Sequence, residues 1–232
     1  MDLLFDGIDQ AFRLLIQPDQ NVLDIVFLSL QVSVTATLIS LTMGIPLGTS
    51  LALSEFRGRR LMLSLVNVGM GLPPVVVGLM VAVMLWRSGP LGFLGVMYTP
   101  AAIIVAQSLI ALPIITGLTV AAIQQLNPKL QLQILALGAT RWQLLVILVR
   151  EARVSLLAAT IAGFGAIISE VGASMMVGGN IYGQTRVLTT AMVMETGKGN
   201  FEFAFALSVL LFIIAYAVTL ALTSIQQVDR SM

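Results

Sequence analysis

The chain of 232 residues is 58% hydrophobic and only 10% charged, which is more apolar surface than a soluble domain of this size buries. Twelve basic and eleven acidic side chains leave a net charge of +1, so no nucleic-acid surface is expected. The absence of Cys and His excludes disulfides, thiol or imidazole catalysis and most zinc sites. We therefore expect a chain solvated largely by lipid, with no metal and no cofactor of its own.

The first 24 residues contain five Asp and one Arg, Arg13. A signal peptide would instead carry basic residues followed by an apolar stretch. We therefore expect no signal peptide here, and membrane insertion that depends on the internal segments.

Five internal segments are apolar over at least 20 residues, which is long enough to cross a bilayer. Their apolar residues are continuous rather than alternating, which favours helices over the strands of a barrel. The sequence predicts an all-α integral membrane protein with about five transmembrane helices in a single domain, residues 25–228. The predicted spans are about 25–54, 61–86, 101–124, 154–177 and 203–228.

Basic residues in the loops predict the orientation, because short cytoplasmic loops are rich in Lys and Arg. They follow the first and third spans, so both of these loops are placed in the cytoplasm. The N-terminal segment 1–24 is then extracytoplasmic, the segment 178–202 lies outside or dips into the membrane, and the tail 229–232 is cytoplasmic. The basic residues used are Arg57, Arg59, Arg60, Lys129, Arg141, Arg150 and Arg153.

The second span contains two adjacent prolines, Pro73 and Pro74. Two consecutive residues without N–H donors interrupt helical hydrogen bonding. We predict a break at this point that faces protein rather than lipid. Gly44 and Gly48, which form a G-x-x-x-G pattern in the first span, are interpreted as ordinary helix packing.

The segment 127–142 lies between two spans and is too charged to cross the membrane. Asn127 suits a helix N-cap, Pro128 the first helical position and Gly138 a helix stop. The short helix could press into a cleft on a partner. Equally, it could lie in the interface and anchor the loop, with Trp142 at headgroup depth.

This segment resembles the cytoplasmic coupling loop of type I ABC importer permeases, whose signature is Glu-Ala-Ala, three residues, Gly, then nine residues before Ile-x-Leu-Pro. Gly138 matches the central glycine, whereas Arg150–Glu151 replace the closing Leu-Pro. Its flanks are similar to those of the molybdate and tungstate branch. The resemblance implies that an ABC ATP-binding subunit couples to Leu137, Gly138, Ala139, Thr140, Arg141 and Trp142.

Two further stretches, 72–79 and 168–190, resemble oxyanion permeases, and the second is most similar to tungstate permeases. The resemblance implies a MetI-like fold in the bacterial inner membrane and an import path for tungstate, with molybdate or another oxyanion as the alternative. It also implies a second copy of the chain and an extracytoplasmic oxyanion-binding protein as partners. The candidates for the path or its gate are Pro73, Pro74, Glu170, Gly172, Gly178, Gly179, Thr185 and Arg186.

Glu170 is the sole carboxylate within the predicted spans, and such residues are costly and usually functional. Because it would repel an anion, we expect it to orient neighbouring helices or to pair with Arg186. Arg186 could instead contact the anion briefly or remain a solvated loop arginine.

The sequence lacks the Gly-x-x-x-x-Gly-Lys-Ser/Thr phosphate loop, so ATP and magnesium are expected on the partner subunit. The rival reading is a transporter driven by an ion gradient. Such proteins usually contain internal repeats and several midplane carboxylates, and neither is evident. An intramembrane enzyme is disfavoured because paired carboxylates, His and Cys are lacking.

Overall fold

The computed structural model describes residues 19–228 together with Gly7, Phe12, Arg13 and Gln17. Most of the predicted N-terminal segment and the whole tail 229–232 therefore lie outside the described residues. Between residues 19 and 228 every regular element is a helix. These are α1 (Gln20–Leu53), α2 (Arg59–Gly71), α3 (Pro74–Leu85), a 3-10 turn (Gly92–Leu94), α4 (Pro100–Gln124), α5 (Pro128–Ala136), α6 (Arg141–Glu151), α7 (Arg153–Ile168), α8 (Gly172–Gly178), α9 (Leu188–Gly197) and α10 (Phe201–Val228).

Helices α1, α4 and α10 are each long and apolar enough to cross a membrane. Two further spans are broken, because α2 and α3 meet at an angle of 104° and α7 and α8 at 59°. Counting each bent pair as one span gives the predicted five. The all-α class is confirmed, and so is the break at Pro73–Pro74. The reading of 154–177 as one helix is wrong, because the helix ends at Ile168 and resumes at Gly172.

Helix α4 is the centre of the bundle and packs against α1, α2, α3, α7 and α8. Its closest approach to α1 depends on the two glycines of the first span. A Cβ atom added at Gly48 would lie 2.7 Å from the carbonyl oxygen of Thr116, and one at Gly44 would lie 2.9 Å from Ile115. The interpretation of these glycines as ordinary helix packing is therefore confirmed.

The basic segments lie at the same end of the bundle, which we call the inner end. There, Ile123 of α4 and Leu156 of α7 share a buried cluster with Ile134 of α5 and Leu148 of α6. Arg59 closes the first basic loop by donating from Nε to the carbonyl oxygen of Leu51 at 2.8 Å. The sequence-predicted cytoplasmic loops are thus neighbours in space.

The opposite end, which we call the outer end, contains the start of α1 and the hairpin of α9 and α10. Val22 of α1 packs with Leu188 and Ala191 of α9 and with Leu207 and Leu210 of α10. The segment 178–202, whose position the sequence left open, contributes a loop and α9 at this end.

Candidate functional site

The coupling segment folds as two short helices, α5 and α6, joined by a tight turn. Asn127 accepts a hydrogen bond from the N–H of Lys129 at 2.9 Å and Pro128 occupies the first helical position. Gly138 has φ = +81°, a conformation that glycine adopts without steric cost. The turn leaves Leu137 88% exposed and Trp142 73% exposed, so both apolar side chains are free to contact another surface.

Helix α6 was not predicted, because the sequence analysis ended the segment at residue 142. Its start is a capping box in which Thr140 accepts from the N–H of Gln143 at 3.3 Å. Gln143 in turn accepts from the N–H of Thr140 at 2.8 Å. A Thr followed three residues later by Gln is a sequence signal for a helix start and could have identified this helix.

The two broken spans bring several sequence-predicted gate residues together. The short helices α3 and α8 lie side by side, because a Cβ atom at Gly78 would lie 2.5 Å from the Cα of Ala173. A Cβ atom at Gly172 would likewise lie 2.5 Å from Val75, just beyond the Pro73–Pro74 break. The two half-helices therefore pack in direct contact at these glycines.

Glu170 lies at the break between α7 and α8 and is half-buried. Its carboxylate accepts a hydrogen bond from the N–H of Ala173 at 2.9 Å, and its carbonyl oxygen accepts from Thr189 at 2.9 Å. The carboxylate therefore caps the first turn of α8, where the free N–H groups of a helix favour negative charge. The expected ion pair with Arg186 is wrong, because no ion pair joins the two side chains among the described residues, and the alternative role of orienting neighbouring helices stays a prediction.

Gln107 is a polar residue of the core that the sequence analysis missed. It lies within α4 and is 3% exposed. Its Nε2 donates to the carbonyl oxygen of Ile167 at 3.2 Å and to the hydroxyl of Ser174 at 3.4 Å, so it bridges both sides of the second break. Its Oε1 has no partner among the described residues. Gln107 could have been identified from the sequence, because a polar side chain in the interior of an apolar span is usually functional.

The loop from Gly178 to Val187 is closed by Thr185, which donates to the carbonyl oxygen of Gly178 at 2.5 Å and accepts from the N–H of Ile181 at 2.9 Å. Gly179 has φ = +71°, and a Cβ atom there would lie 2.8 Å from the ring of Tyr98. These three sequence-predicted residues hold the loop against the outer end of α4. Their direct contact with an anion stays a prediction.

Arg186 extends from this loop over the ring of Tyr182, with its guanidinium carbon 5.0 Å from the ring centroid. Its Nη2 donates to the carbonyl oxygen of Asn180 at 3.5 Å. The guanidinium lines a pocket of about 280 Å³ between the loop and the first turns of α1, where Asn21 and Asp24 form the opposite wall.

Glu195 is a second carboxylate that the sequence analysis missed. It is 8% exposed and accepts hydrogen bonds from Lys198 at 2.8 Å and Asn200 at 3.0 Å. The hydrogen bond from Lys198 lowers the pKa of Glu195 most, burial opposes this, and Asn200 and the charges of Lys198 and Arg186 lower it further. The spacing of three residues between Glu195 and Lys198 could have predicted this ion pair from the sequence.

Comparison with known proteins matches residues 44–230 to the family described as binding-protein-dependent transport system inner membrane component. The tungstate uptake system permease protein TupB of Peptoclostridium acidaminophilum is 39% identical over 227 residues, which cover 98% of this chain and all of that protein. The TupB protein of Campylobacter jejuni is 35% identical over 216 residues, which cover 93% of this chain and 90% of that protein.

Among solved structures, the MetNI methionine ABC transporter in an inward facing conformation contains a chain that aligns with a TM-score of 0.74. The alignment covers 91% of this chain and 98% of that one at 21% identity, and it confirms the MetI-like permease fold. The chain therefore belongs to the family of inner membrane components of binding-protein-dependent transport systems.

Proposed function

We propose that this chain is the membrane-spanning subunit of an ATP-driven importer whose cargo is tungstate. The observation that carries the proposal is the match, over nearly the whole chain, to permease proteins of tungstate uptake systems. Molybdate is the alternative cargo, since the flanks of Gly138 are similar to the molybdate and tungstate branch as a whole.

An ABC ATP-binding subunit is the proposed partner at the inner end. The turn between α5 and α6 presents a groove of about 600 Å³ lined by Leu137, Gly138, Ala139 and Trp142. Leu137 and Trp142 in its walls are apolar and exposed, while Ile134 and Leu148 behind it are buried against the bundle. A push on this turn would therefore reach the spans directly. ATP binding and hydrolysis belong to the partner.

A second copy of the chain is the proposed partner within the membrane. Helix α2 buries none of its residues in the single chain, although Leu61, Leu65 and Val68 are large and apolar. Two chains facing each other would enclose the anion path between them. The remaining apolar surface would contact lipid.

The inner end is proposed to face the cytoplasm, because basic residues cluster in inner loops of bacterial membrane proteins. The N-terminus and the hairpin of α9 and α10 then lie outside, where an oxyanion-binding protein would deliver its cargo.

A transporter driven by an ion gradient is the second candidate, and the two broken spans favour it, because discontinuous helices often form ion sites in such proteins. Against it, Glu170 caps α8, and no group of three or more carboxylates that could hold a metal ion lies together in the part of the chain that the structure describes.

The test is purification of the chain with its candidate partners and reconstitution into proteoliposomes. We expect the ATP-binding subunit to co-purify, and tungstate uptake to require both ATP and the binding protein. Excess unlabelled molybdate should compete less well than tungstate if tungstate is the cargo. Uptake that proceeds without ATP and stops when the ion gradient is collapsed would contradict the proposal.

A further inference from the structure

An open pocket at the outer end contains an arginine whose donors are mostly unused. The pocket lies between the loop 178–187 and one stripe of α1 formed by Asn21, Asp24 and Gln31. Both walls are fixed, because Tyr182 donates to the side chain of Asn21 and the N–H of Leu188 donates to the hydroxyl of Ser29 at 2.8 Å. The pocket is therefore part of the folded chain.

Arg186 supplies the positive charge of this pocket. Among the described residues, its guanidinium forms a single long hydrogen bond, to Asn180 at 3.5 Å, and no carboxylate forms an ion pair with it. Its Nε is buried without a partner, and so is the side-chain oxygen of Asn180. A guanidinium has five N–H donors arranged to grip oxyanions, so the donors of Arg186 that have no protein partner are available to an anionic ligand in the pocket.

The rest of the pocket suits a hydrated tetrahedral oxyanion held weakly. The amide side chains of Gln31 and Gln184 line it and can donate hydrogen bonds, whereas the amide of Asn21 already donates to Asp19. Asp24 also lines it, and Glu195 is close enough for the Arg186 charge to lower its pKa. Both carboxylates oppose an anion. Affinity is therefore limited, as a transport path requires if its cargo is to leave again.

We propose that this pocket receives the oxyanion after the binding protein releases it and before it enters the path between the spans. The inference rests on the proposed function and specifies the first contact of the cargo with this chain. Arg186 makes the charged contact, and the amides of Gln31 and Gln184 complete it.

The experiment uses the complete complex in proteoliposomes, with uptake of tungstate and ATP hydrolysis measured together at saturating tungstate-loaded binding protein. Arg186→Gln should lower uptake at least tenfold while the stimulation of ATP hydrolysis persists, so that less anion enters per ATP. Arg186→Lys should retain part of the uptake. Arg87→Gln, a matched change at an exposed arginine of a different outer pocket, should leave both rates unchanged.

A direct measurement of tungstate binding should give opposite changes in affinity for two substitutions in the same pocket. Equilibrium dialysis with sodium tungstate should show weaker binding to the complex carrying Arg186→Gln and tighter binding to the complex carrying Asp24→Asn. Unchanged uptake in Arg186→Gln, or an equal fall of uptake and ATP hydrolysis, would overturn the inference. If the wild-type complex itself imports no oxyanion, the proposed function fails instead.

A lipid phosphate has the same chemistry as the cargo and could occupy the same pocket. A change of lipid distinguishes these two occupants. If an outer-leaflet phosphate occupies the pocket, replacing phospholipid by galactolipid should destabilise the wild-type complex but not Arg186→Gln. Uptake per ATP would then be the same in both. That result would overturn the assignment to the transported anion, whereas insensitivity to the lipid supports it.

Discussion

At the scale of single residues, Glu170 shows how an expensive charge is accommodated in an apolar span. A lone carboxylate there predicted an ionic partner, yet the structure provides a backbone N–H, that of Ala173. The break at residues 169–171 frees helix N–H groups, and these stabilise a carboxylate without a cation.

We expect Glu170→Ala to destabilise the protein by about 0.5–2 kcal/mol, the usual cost of losing a helix cap. Glu170→Gln should cost less, because its amide oxygen still accepts a hydrogen bond. In a double-mutant cycle with Arg186→Gln, the two changes should add to within about 0.5 kcal/mol. Thermal and denaturant unfolding in detergent measure both effects, and strong coupling would mean that the two side chains meet.

Glu195 makes stability depend on pH, because its pKa is lowered in the folded chain. Its contribution is fully present above the pKa of the unfolded chain and is lost as the pH falls through the lower, folded-state pKa. We expect Lys198→Ala to raise the folded-state pKa toward that of the unfolded chain, so that the loss of stability is smaller and is complete at a higher pH. Thermal unfolding between pH 7 and pH 3 measures this, with Lys129→Ala, which does not contact Glu195, as the control.

At the scale of elements, the turn between α5 and α6 depends on the backbone of Gly138. No atom lies within 4 Å of a Cβ added there, so the constraint is its φ of +81°, which costs other residues roughly 1–2 kcal/mol. The turn is thus sensitive to backbone conformation rather than to crowding.

Gly138→Leu should leave the chain inserted and folded but abolish uptake and the anion-stimulated hydrolysis of ATP. Gly138→Asn is the matched control, because asparagine tolerates a positive φ, and it should retain much of the activity. Uptake assays measure the loss of coupling, and the yield of protein in the membrane shows whether the variant is misfolded. Normal uptake by the Leu variant would remove the coupling role from this turn.

The elements also show what the sequence predicts well. The long uncharged segments identified the spans, and Pro73–Pro74 marked one break because proline cannot complete helical hydrogen bonding. The second break was missed because the residues between Ile168 and Gly172 include no proline. It depends on contacts from other helices, with Gln107 holding Ile167 and Gly172 admitting Val75, which no local pattern reveals.

At the scale of the whole molecule, the sequence predicted the family, but not the environment of the charged candidates. Arg186 was singled out because it is charged. Its pocket is built by residues more than 150 positions away, on the first turns of α1. Contacts between residues this far apart in the sequence cannot be predicted from local sequence patterns.

We expect the choice of anion to be made mainly by the binding protein, because the outer pocket combines one guanidinium with an opposing carboxylate. Such a pocket would accept several tetrahedral dianions with similar weak affinity. Combining this permease with binding proteins of different oxyanion preference, and measuring competition in uptake, should show that the preference follows the binding protein. A preference that stays with the permease would contradict this.

The length of α1 has a consequence for where the anion is met. Its 34 residues extend for about 51 Å at 1.5 Å per residue, whereas the hydrocarbon core is about 30 Å thick and a usual tilt of about 20° shortens the helix only slightly. The first twelve residues include Asn21, Asp24 and Gln31, whereas the last twelve contain no charged or amide side chain, so the overhang falls at the outer end. The anion would therefore reach Arg186 while still hydrated, and dissolved salt, which screens charges beyond about 8 Å at physiological strength, would weaken its capture.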